Sequence, residues 1–165
     1  MRHQRGMTLM ELVISIVIIG IAAAALYSAM AAIGGRSADP MLRQQSLSIA
    51  EGYLEEVLSQ RYLDPTSFNT TTCTATAGLE RARFDDLCDY AGLDDLGARD
   101  ATGAAVGGLS AYRVQVAVTG LANWNGVPAR RIDVTVTDPA GGRLQLSGVR
   151  TCYGEIDAAG MERCP

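Results

Sequence analysis

Gly6-Met7-Thr8-Leu9-Met10-Glu11 opens directly onto an uncharged run from Leu12 to Ile33, interrupted only by Ser15, Gly20, Tyr27 and Ser28. At about 1.5 Å per residue, a helix of roughly 22 residues spans some 33 Å, enough to cross a bilayer. Arg2, His3 and Arg5 precede it, and no acid comes before Glu11. By the positive-inside rule the N-terminus stays in the cytoplasm and everything after Ile33 is carried across. A lone carboxylate at the mouth of such a helix costs a few kcal/mol unless it is paired, so Glu11 points to a task beyond anchoring.

Two plainer readings compete. One is a cleaved secretory signal with a small-residue exit such as Ala29-Met30-Ala31; the apolar run is long for that, and an acid stands at its front. The other is a simple single-pass anchor, in which Glu11 has no use.

Gly6-Met7-Thr8-Leu9-Met10-Glu11-Leu12-Val13-Ile14 resembles the processing motif of type IV pilins and pseudopilins. The resemblance implies cleavage by a prepilin peptidase between Gly6 and Met7, N-methylation of the new amine on Met7, and a docking role for Glu11, the fifth residue of the mature chain. Met7 departs from the phenylalanine that the family usually carries there. The implied partners are other pilins of the filament, the prepilin peptidase, the inner-membrane assembly platform and the lipid bilayer. The implied location is the inner membrane, with the head periplasmic, and then the filament. Electrostatics gives the glutamate an independent rationale. A freed amine among apolar helices is neutralised by Glu11 of a neighbouring subunit, and removing one partner of such a buried pair costs about 3–5 kcal/mol.

Ala22 to Ala25, Ala29, Ala31 and Ala32 are small enough to let neighbouring helices approach closely, although an Ala-rich membrane helix reads the same way. Gly20 weakens the helix. Related pilins often place a proline near Ser28, so any local melting here falls to Gly20 or Gly34-Gly35.

The chain divides into a leader (1–6), an apolar helix (7–35) and a head (36–165). At 165 residues with a formal charge of −4, it has room for one modest head domain, whose acidity argues against a nucleic-acid-binding surface dominated by phosphate contacts. No nucleic-acid partner is expected. All basic residues are arginine, a composition bias without evident chemistry.

Asp39 before Pro40 suggests an N-cap. From there an amphipathic helix over 40–63 is expected, with Leu47, Ala50, Leu54, Val57 and Leu58 on one face and Glu51, Glu55 and Glu56 on the other. Asp64-Pro65 ends it. Residues 65–108 are irregular and acidic. Asp85, Asp86 and Asp89 raise a weak calcium possibility, against a solvated surface as the plainer reading. Phe84, Leu87 and Tyr90 suggest a short turn pinned to a core.

Over 110–150 the period becomes two. Three strands follow from Tyr112/Val114/Val116/Val118, Ile132/Val134/Val136 and Leu144/Leu146. The last two are joined by the turn Asp138-Pro139-Ala140-Gly141-Gly142. Gly120 to Ala129 reads as a loop whose Trp124 covers the sheet edge or touches a partner. A sheet with one apolar face needs the helix as its cover, which gives an α+β, pilin-like head on a long N-terminal helix.

Cys73, Cys88, Cys152 and Cys164 allow three disulfide pairings. Cys73–Cys88, closing the middle, and Cys152–Cys164, closing the tail (151–165), are the expected pair. Zinc is disfavoured by the absence of Cys-x-x-Cys and of any histidine beyond the leader. No catalytic residues, metal or cofactor are expected, since the chain has no base, triad or phosphate loop, and an enzyme is not the expected class.

A second resemblance spans the head. Gln44 to Leu58, Phe84-Asp85-Asp86, Asp89-Tyr90-Ala91-Gly92-Leu93, Tyr112-Arg113-Val114 and Arg131 to Val136 look like the minor pilins of mannose-sensitive haemagglutinin (MSHA) pili. That implies a minor pilin. The rival readings are a pseudopilin of a type II secretion system and a membrane-anchored periplasmic binding domain that never polymerises.

Overall fold

The computed structural model describes residues 8–65, 73, 78–156 and 159–164. A helix, α1 (Leu9–Ser59), is followed by 3-10 turns at Arg81–Arg83 and Leu87–Tyr90. Four strands come next: β1 (Asp94–Leu96), β2 (Arg113–Trp124), β3 (Val127–Thr137) and β4 (Arg143–Thr151). The chain forms two compact units, residues 1–41 and 42–165.

In the first unit the stretch Leu9–Met30 is long and apolar enough to cross a membrane, and none of it is buried within the protein. Its large apolar side chains are exposed all round the helix, from Leu12 and Val13 to Ile18 and Ile19. A helix that is apolar on every side requires an apolar surrounding.

The expected start at Asp39 does not occur. Pro40 lies inside α1, and the backbone stays helical through Gly20 and Gly34-Gly35 as well. Proline removes one intrahelical hydrogen bond, but here it does not divide the helix. The far end also differs, since α1 stops at Ser59. Tyr62 and Leu63 leave the helix and plug the core, both almost fully buried.

In the second unit the sheet is antiparallel with order β1-β2-β3-β4. Val114, Val116, Ile132, Val134 and Val136 form the inner face, and Ile49, Ala50, Tyr53, Leu54 and Val57 of α1 cover it. The covering face is rotated from the expected one. Ile49 and Tyr53 are core residues, whereas Leu47 is only half-buried. Helix and sheet approach closely at Gly148, since a Cβ there would lie 3.0 Å from Leu54 Cδ1.

Two corrections concern the strands. Residues 120–129 are not a loop. β2 and β3 continue almost to a two-residue turn at Asn125-Gly126, with φ of 51° and 91°. Those positive angles are what a tight hairpin turn needs, and Asn-Gly supplies them. Trp124 therefore sits at the hairpin tip opposite Val127, nearly half exposed. The acidic middle also contributes a strand, because β1 pairs with residues 113–115.

Candidate functional site

The first turn of α1 is built around Thr8. Its carbonyl accepts from Leu12 N–H at 3.2 Å. Its Oγ1 accepts from Glu11 N–H at 3.2 Å. Thr8 is thus the N-cap and Glu11 the third helical residue, the Thr-x-x-Glu spacing of a capping box. This signature was legible in the sequence but is not part of the pilin-motif reading. It places the Glu11 carboxylate at the positive end of the helix dipole, where an anion is favoured. Ser15 Oγ donates to the Glu11 carbonyl at 2.7 Å. The cleavage and methylation positions, Gly6 and Met7, lie outside the described residues.

In the head, the polar centre is Arg81. Its Nη2 and Nε donate to Glu56 Oε2 and Oε1 at 2.7 and 3.1 Å, and its Nη1 donates to Asp95 Oδ2 at 2.5 Å. Its guanidinium lies 4.4 Å from the centre of the Tyr53 ring. The Tyr53 hydroxyl donates to Asp95 at 2.8 Å and accepts from Arg99 N–H at 2.8 Å. The Tyr90 hydroxyl donates to Glu56 at 2.7 Å. Arg99 Nε, 3.7 Å from Asp95, brings the cluster to two cations and two anions. Glu56 was expected on the solvent face; Arg81 and Tyr90 draw it inward.

Burial alone would lower the Arg81 pKa, but hydrogen bonds to Glu56 and Tyr53 outweigh it and hold the cation firmly protonated. Burial also raises the Tyr53 and Tyr90 hydroxyls above their ordinary range, so both remain donors. The cluster clips the irregular middle onto α1. A groove of about 760 Å³ runs beside it, between the Gln44–Ser59 face of α1 and the 98–109 loop.

A second buried arginine performs the same task at the far end of the head. Arg130 Nη1 donates to the Tyr62 carbonyl at 2.6 Å, and its guanidinium stacks 4.5 Å over the Tyr62 ring. The strand alternation places Arg130 on the core face, in line with Ile132 and Val134. Only the fold shows that a cation is tolerated there.

Asp85, Asp86 and Asp89 do converge, with one oxygen from each within 4.8 Å of the others. Two of these carboxylates, Asp86 and Asp89, already serve the backbone. Asp86 caps the Leu87–Tyr90 turn by accepting from Cys88 N–H and Asp89 N–H, and Asp89 accepts from Asp85 N–H at 3.2 Å. Burial first, and then the neighbouring acids, raise the Asp85 and Asp86 carboxyls above the usual range. The Phe84, Leu87 and Tyr90 side chains pin this turn to the core, with Phe84 edge-on to Tyr90 at 4.9 Å.

The cysteines join as Cys73–Cys88 and Cys152–Cys164, with Cα separations of 4.9 and 5.2 Å. The second bridge closes a small tail hairpin, in which Ile156 pairs with Glu162. That hairpin is fastened to the segment just after α1, where Glu155 accepts from Tyr62 N–H at 2.7 Å.

The prokaryotic N-terminal methylation motif matches residues 1–27. No curated protein and no solved structure matches the chain. The methylation motif, Glu11 on a capped first turn and the apolar helix followed by an α+β head support a type IV pilin-like or pseudopilin-like protein. The motif implies processing by a prepilin peptidase and assembly with other pilins. The single apolar helix fits membrane anchoring.

Proposed function

We propose that the chain is a minor pilin of an MSHA-like type IV pilus, similar to MshD, which is cleaved after Gly6, methylated on Met7 and incorporated into or priming the filament. The observation that carries this reading is Glu11, an acid on the first turn of a helix that is otherwise apolar through Met30. A carboxylate there is useful when a cation arrives beside it, and a freshly cut amino terminus on Met7 of an adjacent subunit is such a cation. Each charge then offsets the desolvation of the other. The assembly platform of the inner membrane would deliver the subunit, with its N-terminus cytoplasmic and its head periplasmic before extraction.

Mass spectrometry of the mature protein tests the processing. The expected N-terminus is methylated Met7, and a chain retaining Arg2 would return the reading to a plain anchored domain. Glu11→Ala tests the docking. That variant should remain in the membrane but be excluded from filaments, whereas incorporation at the wild-type level would end the pairing argument. The same motif serves pseudopilins, so a type II secretion subunit is the second reading. Loss of surface fibres on deletion selects the pilus, and loss of a secreted protein selects the piston.

A further inference from the structure

The two disulfides are not equivalent. Cys152 and Cys164 are each 1% exposed, so neither sulfur of the tail bridge is within reach of a reagent. The ends of the other bridge differ from each other. Cys88 is buried, whereas Cys73 is only half-buried and open to solvent. Thiol–disulfide exchange needs access to the sulfur that is attacked and a stabilised leaving group at the other. Accessibility therefore directs attack to Cys73 and departure to Cys88.

A cation already stands beside the leaving group. Arg130 Nη1 donates to the Tyr62 carbonyl at 2.6 Å and to Cys88 Sγ at 2.7 Å. Sulfur without charge is a weak acceptor, so this contact gains little while the bridge is closed. A thiolate in the same place accepts a charge-assisted hydrogen bond, roughly twice as strong as a neutral one. The guanidinium is buried and stacked on the Tyr62 ring, which holds it at the sulfur. Asp86 and Asp89, on the same turn as Cys88, oppose a thiolate. Their carboxylates accept from the backbone N–H groups of residues 85, 88 and 89, however, while Arg130 contacts the sulfur itself. Arg130 thus favours the open bridge over the closed one.

We infer that Cys73–Cys88 is an exchangeable disulfide and that Cys73 is a site of covalent attachment for external thiols. The incoming thiolate attacks Cys73 Sγ and forms a mixed disulfide there. The Cys73–Cys88 bond breaks, and its electron pair leaves on Cys88 as a thiolate held by Arg130. A second external thiolate then attacks the added sulfur and frees Cys73. Two external thiols are oxidised to one disulfide, and the bridge takes up their two electrons. Opening unties Cys73 from the Leu87–Tyr90 turn, while the tail bridge stays closed.

The test is equilibration of the full-length protein in nanodiscs with glutathione buffers of increasing reducing strength, followed by acid quenching, alkylation and peptide mass spectrometry. Cys73–Cys88 should open in buffers at least about tenfold less reducing than Cys152–Cys164 requires, a difference of roughly 30 mV for two electrons. Trapped glutathione should sit on Cys73. Arg130→Gln should make Cys73–Cys88 about tenfold harder to reduce, and Arg130→Lys, which keeps the cation, should restore most of that loss. A merely structural arginine gives the opposite sign, because a loosened head opens its bridges more readily. If neither variant folds, the wild type with only its middle bridge reduced decides the matter. Its ultraviolet thiolate absorbance should show one thiol titrating at least about one pH unit below the ordinary value of about 8.5. Four results would overturn the proposal. They are opening of both bridges together, glutathione trapped on Cys88, an Arg130→Gln bridge that is unchanged or easier to reduce, and two thiols that both titrate at or above the ordinary value.

Discussion

Arg81 shows how much one residue can hold together. It is 8% exposed and satisfies two carboxylates that come from α1 and β1. Replacing it by Met leaves Glu56 and Asp95 partly buried without their cation. A loss of about 3–5 kcal/mol is expected in urea unfolding of the head, whereas a loss below about 1 kcal/mol would mean that the cluster is solvated. Asp85 supplies a test of opposite sign. Its carboxyl is raised by burial first and then by Asp89 and Asp64. A raised carboxyl holds its proton more tightly when folded, so its charge lowers stability above the folded pKa and ceases to do so below the unfolded one. Asp85→Asn should therefore stabilise the protein at neutral pH by a few tenths of a kcal/mol, roughly, because the group is exposed. The gain should fade as pH drops through the raised value towards the ordinary carboxylate range. Unfolding curves at neutral and acid pH distinguish this from a pH-independent gain, which would exclude the charge as its cause.

At the scale of elements, the β2–β3 hairpin depends on its turn. Gly126 has a φ of 91° and open space where a Cβ would go. Any cost of substitution there is thus backbone strain, not collision. Gly126→Val should destabilise the head by about 1–3 kcal/mol. Backbone amide shifts are expected to move most near Trp124 and Val127, and a variant as stable as wild type would show that the turn relaxes to another type. The helix carries its own lesson. Its apolar first half and its amphipathic second half follow different patterns. α1 nevertheless remains one element from Leu9 to Ser59, with Pro40 accommodated inside it.

For the whole molecule, the two disulfides compensate for the irregular regions that the sheet does not organise. Cys73–Cys88 ties the middle segment beside Arg130, whose Nη1 lies 2.7 Å from the Cys88 sulfur. Cys152–Cys164 closes a segment with a sequence separation of 12. Cys152→Ala/Cys164→Ala should cost about 3 kcal/mol, chiefly through the unfolded chain. Calorimetry should register a lower melting temperature while the core strands keep their amide protection. An unchanged melting temperature would show that the tail contributes nothing to the cooperative unit. Together with the motif at residues 1–27 and the apolar helix, which fit membrane anchoring, two disulfides agree with the head position proposed above.

Where periodicity and local chemistry acted alone, the sequence sufficed. The apolar run after Glu11 has no other use than an apolar surrounding, the alternation over 112–118, 132–136 and 144–146 leaves only half-buried strands, and four cysteines leave only three pairings. The Asn125-Gly126 turn and the Thr8–Glu11 cap are also local and were there to be read. Tertiary structure alone decided which side of α1 is buried, because Tyr53 and Glu56 turn inward only when Arg81 and Asp95, distant in sequence, arrive to meet them. It likewise decided that Asp94–Leu96 becomes a strand, since three residues have no strand identity until β2 presents an edge. A buried charge needs a partner, and sequence spacing does not reveal a partner supplied across the fold.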